Sequence, residues 1–311
     1  MESVIVLGAK GRFGRAAVAG FRAAGWRVTE LARAWPEEGT GRVTADVTDT
    51  AAVVQACMGH DVIVNAVHPP YPQWSEMVPK ITSTVIAAAK ASGATVLIPG
   101  NVYNYGTSMP ERLSETSPWV GDTKKGAIRI RMESAFRDSG VRTIVLRGGD
   151  FIDGADTGNW FETYITAKAD KGKLTYPGKR DRVHAWSYLP DMGRAAAALA
   201  GKRAEFSSFE EFGFGGYALT GDALIALTEG ALGRPMKVSG FPWFAIKTMA
   251  LWSPLMREVL EMRYLWNAPH HLDGSKLRAA LPDFVETPVE AAFAQALSKH
   301  TQANVLQSAL A

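Results

Sequence analysis

Short apolar runs alternate with stretches of helical spacing along the first half of the chain. Strands are predicted over residues 4–8, 27–32, 42–46, 61–67, 95–100 and 141–149, most of which are short runs rich in Val, Ile and Leu. Helices are predicted between them, over residues 13–24, 50–58, 74–92 and 124–136. Strands that are apolar throughout are buried on both faces, so this order predicts an α/β fold with a doubly wound parallel sheet.

The regular alternation ends near residue 150. Beyond it glycine, proline and aromatic residues become frequent, which indicates a less regular lobe. Ligands of open parallel sheets bind outside the carboxyl ends of the strands, so a lobe that folds over this edge is expected to bind substrate. The predicted division is a sheet domain over residues 1–150 and a smaller substrate lobe over residues 151–311. Residues 182–200 of that lobe are expected to interleave with the sheet domain.

The composition fits a globular protein and excludes several classes. Of 311 residues, 47% are hydrophobic and 21% are charged, which allows a sizeable core and excludes wholesale disorder. The net charge of +3, without a run of Lys and Arg, gives no basis for a nucleic-acid partner. The single cysteine, Cys57, cannot form an intrachain disulfide, and we expect it to be a small buried residue.

No targeting or membrane segment is predicted. The N-terminus lacks the basic and apolar regions of a signal peptide. The most apolar later segment begins at Phe241 and is interrupted by Lys247 and two prolines, so it falls short of the roughly 20 apolar residues of a membrane span. We expect this segment to form an amphipathic surface helix or part of a substrate lid, and we expect the protein to be cytoplasmic.

The segment GAKGRFG, residues 8–14, lies between the first predicted strand and the first predicted helix. Its first glycine permits a tight turn, its second lets the backbone approach a pyrophosphate, and its third lets the helix pack closely on the strand. The helix N-terminus then faces the phosphates. The loop is predicted to bind a dinucleotide through Gly8, Lys10, Gly11, Arg12, Phe13 and Gly14. The alternative is a glycine turn with no ligand.

Two further motifs follow later strands, NAV at residues 65–67 and YG at residues 105–106. With the GxxGxxG spacing they resemble the extended and atypical short-chain dehydrogenase/reductase superfamily, most closely its NAD-dependent epimerase/dehydratase-like branch. The resemblance continues through LRGGDFIDG at residues 146–154 and HAWSYLPDMGRA at residues 184–195. It implies a Rossmann-type fold with an irregular C-terminal substrate lobe, a nicotinamide dinucleotide, a small-molecule substrate, and a monomer or homodimer.

The end of the second strand bears on the choice between NAD and NADP. An NAD site places an acidic residue there to bind the ribose hydroxyls, and this chain has Ala32 followed by Arg33. A guanidinium can bind a 2′-phosphate, and Lys10 and Arg12 can add positive charge to the same pocket, so we predict NADP rather than NAD. By the resemblance, Asp46 and Val47 flank the adenine. Ala66, Val67 and His68 line the ribose and nicotinamide side; for His68, a turn-capping role is equally open.

The helix that carries the chemistry in the superfamily departs from the family pattern. A Ser or Thr after the fifth strand and a Tyr-xxx-Lys in the next helix polarise a carbonyl or alcohol there. Alignment on Glu133 places Lys125 at the tyrosine position, Arg129 at the lysine position and Asn101 at the serine position. All three positions differ, so the usual proton relay is absent.

Three interpretations remain open. Lys125 can serve as an acid or electrostatic clamp, with Arg129 holding the ribose or the substrate. A tyrosine elsewhere can replace the missing phenol: Tyr103 or Tyr105 at the exit of the fifth strand, or Tyr71 after the fourth. Of these, Tyr105 is expected to be structural. The protein can also bind NADP without turnover.

Other polar residues add little. His270 and His271 have no third ligand at a usual spacing, so no metal site is predicted. The alternation of residues 184–188 predicts a strand with one buried face, and Asp191 after it is expected to be a helix N-cap.

The leading hypothesis is an NADP-dependent oxidoreductase that acts on a small carbonyl or alcohol compound. The alternative is a catalytically silent NADP-binding regulator or redox sensor. A third hypothesis, a sugar-nucleotide epimerase or dehydratase, fits less well because that chemistry usually depends on the missing tyrosine.

Overall fold

The computed structural model describes residues 1–37 and 39–301. The strands in the described residues are β1 (Ser3–Leu7), β2 (Arg27–Ala32), β3 (Arg42–Thr44), β4 (Val62–Asn65), β5 (Thr95–Gly100), β6 (Arg112–Leu113), β7 (Thr143–Arg147), β8 (Asp150–Ile152), β9 (Lys173–Tyr176), β10 (Val183–Tyr188), β11 (Phe209–Gly213), β12 (Tyr217–Thr220), β13 (Lys237–Gly240) and β14 (His271–Leu272). The α-helices there are α1 (Arg12–Ala23), α2 (Thr50–Cys57), α3 (Trp74–Ser92), α4 (Lys124–Asp138), α5 (Leu189–Gly201), α6 (Gly221–Leu232), α7 (Trp243–Met249), α8 (Pro254–Glu261), α9 (Ser275–Ala280) and α10 (Val289–Ala296).

The main sheet has seven strands in the order β11-β7-β5-β4-β1-β2-β3. All of its pairings are parallel, which confirms the predicted doubly wound α/β fold. Strand order reverses between β1 and β4, which are hydrogen-bonded neighbours. The carboxyl ends of these two strands therefore border the crevice where ligands of such sheets bind.

Helices cover both faces of this sheet. On one face α1 and α5 pack over residues such as Val4, Val64 and Leu146. On the other face α2, α3 and α4 pack over residues such as Ile5 and Ile63. Since helices cover both faces of the central strands, the side chains on both faces of those strands are apolar, and the sequence shows these strands as continuous apolar runs.

Two elements of the main domain come from beyond residue 150. Helix α5 packs on α1, and strand β11 extends the sheet beside β7. The sequence FEEFG of β11 carries two glutamates and was not predicted as a strand. One of them, Glu211, is buried and forms an ion pair with Arg147, which explains how an edge strand accommodates a buried charge.

The remaining elements form the lobe over the carboxyl edge of the sheet. Its small sheets are β12-β10-β8, β13-β9 and β14-β6, and its apolar core includes Phe161, Trp186, Trp266 and Phe293. Among the described residues, no helix combines the length and the apolar character needed to cross a membrane.

Two local predictions for residues beyond 150 were wrong. Strand β10 is buried on both faces from His184 onwards, because Trp186 and Tyr188 pack into the apolar core of the lobe and Ala185 packs into a second cluster with Leu265. Asp191 does not cap α5. It lies inside the helix, accepts the backbone N–H of Thr287 at 2.6 Å, and pairs with Arg194. The side chain that ties α5 to the C-terminal part of the lobe could not be read from local sequence.

Candidate functional site

Two adjoining cavities lie at the carboxyl edge of the main sheet. The larger has a volume of about 660 Å³ and extends over the ends of β2 and β3. The smaller, of about 300 Å³, extends over the ends of β5 and β7 towards the lobe. Gly11, Ala66, Val67 and His68 line both, so the two cavities form one cleft.

The glycine loop forms the floor where the two cavities meet. Gly8 has a φ of +76°, which favours glycine, and it donates its N–H to the carbonyl of Leu31 at 3.0 Å. A Cβ atom on Gly14 would lie 2.2 Å from the carbonyl oxygen of Gly8, so only glycine lets α1 begin this close to the strand. Helix α1 begins just after Gly11, where unbonded N–H groups of the first turn suit phosphate oxygens.

The larger cavity carries positive charge at the end of β2. Ala32 ends that strand, and Arg33 and Lys10 line the cavity beside it. Among the described residues, Arg33 has no salt-bridge partner. Asp46 also lines the cavity, but its carboxylate accepts two bonds from Thr48, at 2.8 and 2.7 Å. These bonds, with a smaller effect from Arg33, lower the pKa of Asp46.

Two other predicted residues of the loop lie on the opposite side of the cleft. Arg12 lines the smaller cavity, not the pocket of Arg33, because its guanidinium bonds to the carbonyls of Thr157 and Gly158 at 2.9 and 2.6 Å. The expectation that Arg12 adds charge beside Arg33 was therefore wrong. Phe13 lines the same cavity and is nearly buried, whereas Val47 lines the larger one.

Phenols line the smaller cavity where an acid would be useful. The hydroxyl groups of Tyr71 and Tyr103 lie 3.0 Å apart, and Asn101 accepts the backbone N–H of Tyr103 at 3.1 Å. Burial is the main cause that raises the pKa of both phenols, that of Tyr103 well above its ordinary range. Both phenols are therefore protonated at neutral pH.

Arg129 is held at the wall of this cavity by a buried ionic network. It donates to the carbonyl of Pro99 at 2.8 Å and to Glu133 at 3.0 Å, and Glu133 also pairs with Arg147 at 2.7 Å. Burial alone would raise the pKa of Glu133, but the two guanidinium groups outweigh it and lower the pKa. The Nε of Arg129 is buried and has no hydrogen-bond partner among the described residues. Arg129, which lines the cavity, therefore has an N–H donor that no described residue uses.

Lys125 does not line either cavity in the described part of the chain. Its buried ammonium pairs with Glu258, and it bonds to Glu261 at 2.8 Å and to the carbonyl of Glu258 at 3.1 Å. Helix α8 of the lobe supplies both carboxylates. The positive charge also lies 5.0 Å from the ring centre of Tyr71. The structure thus engages Lys125 in an ion cluster between α4 and α8, behind the phenols.

His68 lies at the junction of the two cavities. Its ring contacts those of Tyr71 and Trp74 edge to face, at 5.4 and 5.2 Å. His68 is exposed to the open cleft, but the surrounding walls still limit its solvation and lower its pKa, and the positive charges of Arg12 and Arg129 add to this effect. The imidazole is therefore neutral at physiological pH.

Sequence reasoning missed the lobe side of the smaller cavity. Asp150, Asn159, Trp160, Leu265 and His270 line it. Only His270 had been singled out, as part of a histidine pair without metal-ligand spacing. Asp150 belongs to the LRGGDFIDG segment quoted above, but no motif joins it to the others, since the five residues come from four separate segments. Within the described residues there is no group of three or more His, Cys, Asp or Glu side chains arranged to hold a metal ion.

Comparisons with known proteins identify the family of the chain. A family model described as NAD(P)H-binding matches residues 8–183, more than half of the chain. No curated protein matches the sequence.

Several solved structures share the fold over the whole chain. MoeE5 in complex with UDP-glucose and NAD has 14% identity and a TM-score of 0.76, with 98% of this chain and 100% of that chain covered. The UDP-glucose 4-epimerase of Bifidobacterium longum, in complex with NAD+ and UDP, has 16% identity and a TM-score of 0.74, with 97% and 98% covered. The UDP-N-acetylglucosamine 4-epimerase of Bacillus cereus has 16% identity and a TM-score of 0.72, with 97% and 96% covered. At these identities the likeness establishes the fold.

Proposed function

Because the chain belongs to the NAD(P)H-binding family, we propose that it is an NADP-dependent oxidoreductase that acts on a small carbonyl or alcohol compound. The observation that carries the proposal is the single cleft with different chemistry at its two ends. A cation-lined cavity lies on one side of the glycine loop, and a phenol-lined cavity lies on the other. This is the separation that the two ends of a dinucleotide require.

The preference for NADP rests on the wall of the larger cavity. Ala32 presents no carboxylate to repel a 2′-phosphate, and Arg33 has no competing salt bridge within the described residues. Asp46 is the acidic residue at this wall, but its carboxylate already accepts two hydrogen bonds from Thr48 and is therefore less available to the ribose hydroxyls. Lys10 lies on the same wall and adds a second charge. A guanidinium beside an alanine favours the phosphorylated cofactor.

The chemistry is assigned to the wall of the smaller cavity. NADPH, when bound, supplies a hydride to the carbonyl carbon. Tyr103 donates the proton to the carbonyl oxygen, and Tyr71 passes a proton to Tyr103 across their 3.0 Å hydrogen bond. Tyr71 is only half-buried and regains its proton from water in the cleft. Arg129 stabilises the negative charge that develops on the oxygen and on the phenol. We assign Lys125 to none of these steps, because two carboxylates hold its ammonium away from the cavity.

Cavity size supports a small substrate. A volume of about 300 Å³ is at the low end for ligand pockets, and a nicotinamide ring must share it. The nucleotide sugars bound by similar solved structures would need more room than this. A silent NADP-binding regulator remains a second candidate, favoured by the sequestered Lys125, since the residue at the position of the family's acid does not reach the cavity.

Two measurements test the proposal. Fluorescence titration with NADPH and NADH tests cofactor binding, and failure of both to bind at millimolar concentration would refute the proposal. Oxidation of NADPH is then followed with a panel of aldehydes and ketones. Tyr103→Phe should lower kcat by about 100-fold or more while leaving the NADPH affinity unchanged.

The control is Tyr217→Phe, which removes a phenol bonded to the carbonyl of Thr287 outside the cavity. This variant should retain wild-type turnover. Tight NADPH binding with no turnover across the panel would favour the regulator. Equal turnover by Tyr103→Phe and wild type would show that Tyr103 is not the acid.

A further inference from the structure

The lobe wall of the smaller cavity contains a polar atom that the protein leaves unpaired. His270 lines the cavity and is 1% exposed. Its backbone N–H donates to the carbonyl of Val183 at 2.9 Å, which fixes its position on the edge of β10. Its Nε2 is buried and has no hydrogen-bond partner among the described residues. A buried polar atom of this kind costs stability unless something pairs with it.

The tautomer of His270 follows from its other nitrogen. Nδ1 lies 2.9 Å from the carbonyl oxygen of Ala268. A carbonyl can only accept, so Nδ1 carries the proton and Nε2 presents a lone pair. Burial, with a smaller effect from His184, lowers the pKa of His270 to about 3, so the ring is neutral across the physiological range. The missing partner of Nε2 is therefore a hydrogen-bond donor.

A second acceptor stands beside it. His184 contacts His270 edge to face, with ring centres 4.6 Å apart, and it donates from Nε2 to Asp150 Oδ2 at 2.7 Å. His184 is itself stacked flat on Trp266 at 4.4 Å, which holds the group rigidly. Asp150 lines the cavity, and its other carboxylate oxygen has no hydrogen bond within the described residues. Two acceptors on one wall suit hydroxyl donors and disfavour an anion.

The same cavity also carries donors. Arg129, Tyr71 and Tyr103 line it, as described above, and are suited to a carbonyl oxygen. Trp160 and Leu265 add apolar surface to the lining. A ligand that satisfies both sets of polar groups carries an acceptor and a donor. A neutral hydroxycarbonyl compound and its diol product have this arrangement.

We propose that His270, with Asp150, recognises a hydroxyl group, and that the substrate is a neutral hydroxyaldehyde or hydroxyketone. This inference rests on the proposed oxidoreductase function and specifies its substrate class. His270 acts here as a specificity residue, and it takes no part in hydride or proton transfer.

The test uses pairs of compounds that differ by one hydroxyl group. Hydroxyacetone is compared with acetone, and 2-hydroxyacetophenone with acetophenone, in NADPH oxidation assays. The hydroxyl compound of a pair should have a KM about 10- to 100-fold lower, because its analogue leaves Nε2 unpaired. His270→Phe keeps an aromatic ring and removes the acceptor, so it should raise the KM of the hydroxyl compound to that of the analogue. The kcat should change little.

Two controls separate recognition from folding. His270→Gln offers a carbonyl oxygen as acceptor and should recover part of the discrimination. His271→Ala alters the neighbouring residue, which belongs to β14 and does not line the cavity, and it should behave as wild type. Urea unfolding of each variant reports whether the fold is intact. A folded His270→Phe protein that still discriminates within each pair would overturn the proposal.

Binding is also measured without chemistry, by saturation-transfer NMR of each pair with NADP+ present. Preferential binding of the hydroxyl compounds supports the proposal even if turnover is absent. Equal binding within each pair, or no binding of any compound while NADPH binds normally, overturns it. Failure to bind NADPH would instead refute the proposed function, so the two failures are distinguishable.

Discussion

Replacing Lys125 by methionine distinguishes a structural ammonium from a catalytic one. The side chain is 1% exposed and bonds to Glu258 and Glu261 of α8. Methionine keeps much of the volume but leaves two carboxylates facing an apolar group. Removing one partner of a buried ion pair costs about 3–5 kcal/mol. Because the side chain of Glu261 is 21% exposed and can recover some hydration, we expect about 3 kcal/mol, the lower end of that range.

Lys124 provides a matched control on the same helix. Its side chain is 52% exposed and bonds to the other oxygen of Glu258 at 3.1 Å. Exposed pairs are worth about 0–1 kcal/mol, so Lys124→Met should destabilise the fold by less than about 1 kcal/mol. The assay is equilibrium unfolding in urea, followed by tryptophan fluorescence. If the two variants differ by less than about 0.5 kcal/mol, the buried cluster does not contribute as argued.

The pH dependence gives a second check on Lys125. Burial alone would raise the pKa of Glu258, but the bonds and charges of Lys125 and Lys124 outweigh it and lower the pKa below its ordinary value of 4.5. The resulting stability is complete above pH 4.5 and is lost as the pH falls through the lower folded value. In Lys125→Met the same carboxyl group is buried without its main cation, and protonation removes this unpaired negative charge.

The stability gap between wild type and Lys125→Met should therefore narrow as the pH is lowered from 7 to about 4. A gap that widens in acid would contradict this account of Glu258. The affinity for NADPH should be unchanged, because Lys125 does not line the cleft. A large loss of turnover with unchanged stability would instead identify Lys125 as the acid.

Three further predictions address the cleft and the network beneath it. Arg33→Ala should weaken NADPH binding by about 10-fold or more and leave NADH binding unchanged. Arg27→Ala, at the opposite end of β2, should change the affinity for neither cofactor. Fluorescence titration measures both affinities, and equal losses for NADPH and NADH would refute the role of Arg33. Gly14→Ala places a Cβ 2.2 Å from the carbonyl oxygen of Gly8, so it should lower the melting temperature and weaken the binding of either cofactor. Calorimetry measures both quantities, and an unchanged melting temperature with unchanged affinity would contradict the close approach. Glu133→Gln leaves guanidinium groups buried without their carboxylate and should cost about 3 kcal/mol in urea unfolding; a cost below about 0.5 kcal/mol would show that the network does not hold Arg129.

Local sequence signals were sufficient for most of the main sheet. The bounds of β2, α3 and β5 match the predicted ranges, because Gly25 lies just before β2 and Gly93 separates α3 from β5. Strand β11 was missed because two of its five residues are acidic. The strand forms by parallel pairing with β7, and Arg147, 64 residues earlier than Glu211, neutralises that buried carboxylate. Such a pairing leaves no periodic trace in the sequence.

The candidate site was less predictable for the same reason. The glycine loop and Arg33 belong to one short βαβ segment, so their placement followed from local spacing. The environment of Lys125 depends on Glu258 and Glu261, which are 133 and 136 residues away. The direction of Arg12 depends on carbonyl groups at residues 157 and 158. Both were determined by the lobe, whose packing the sequence pattern does not reveal.

The cluster around Lys125 also bears on why the family's tyrosine can be absent. Its ammonium lies 5.0 Å from the ring centre of Tyr71, and Tyr71 bonds in turn to Tyr103. A cation at this distance attracts the ring face and helps hold the phenol in place. Position 125 therefore contacts a phenol from behind, where the family pattern would supply one itself. Docking of α8 and placement of the phenol pair depend on the same side chain, so a Lys125→Met protein that loses turnover should also show an altered Tyr71 environment. If turnover falls while that environment is unchanged, the coupling through Tyr71 is absent.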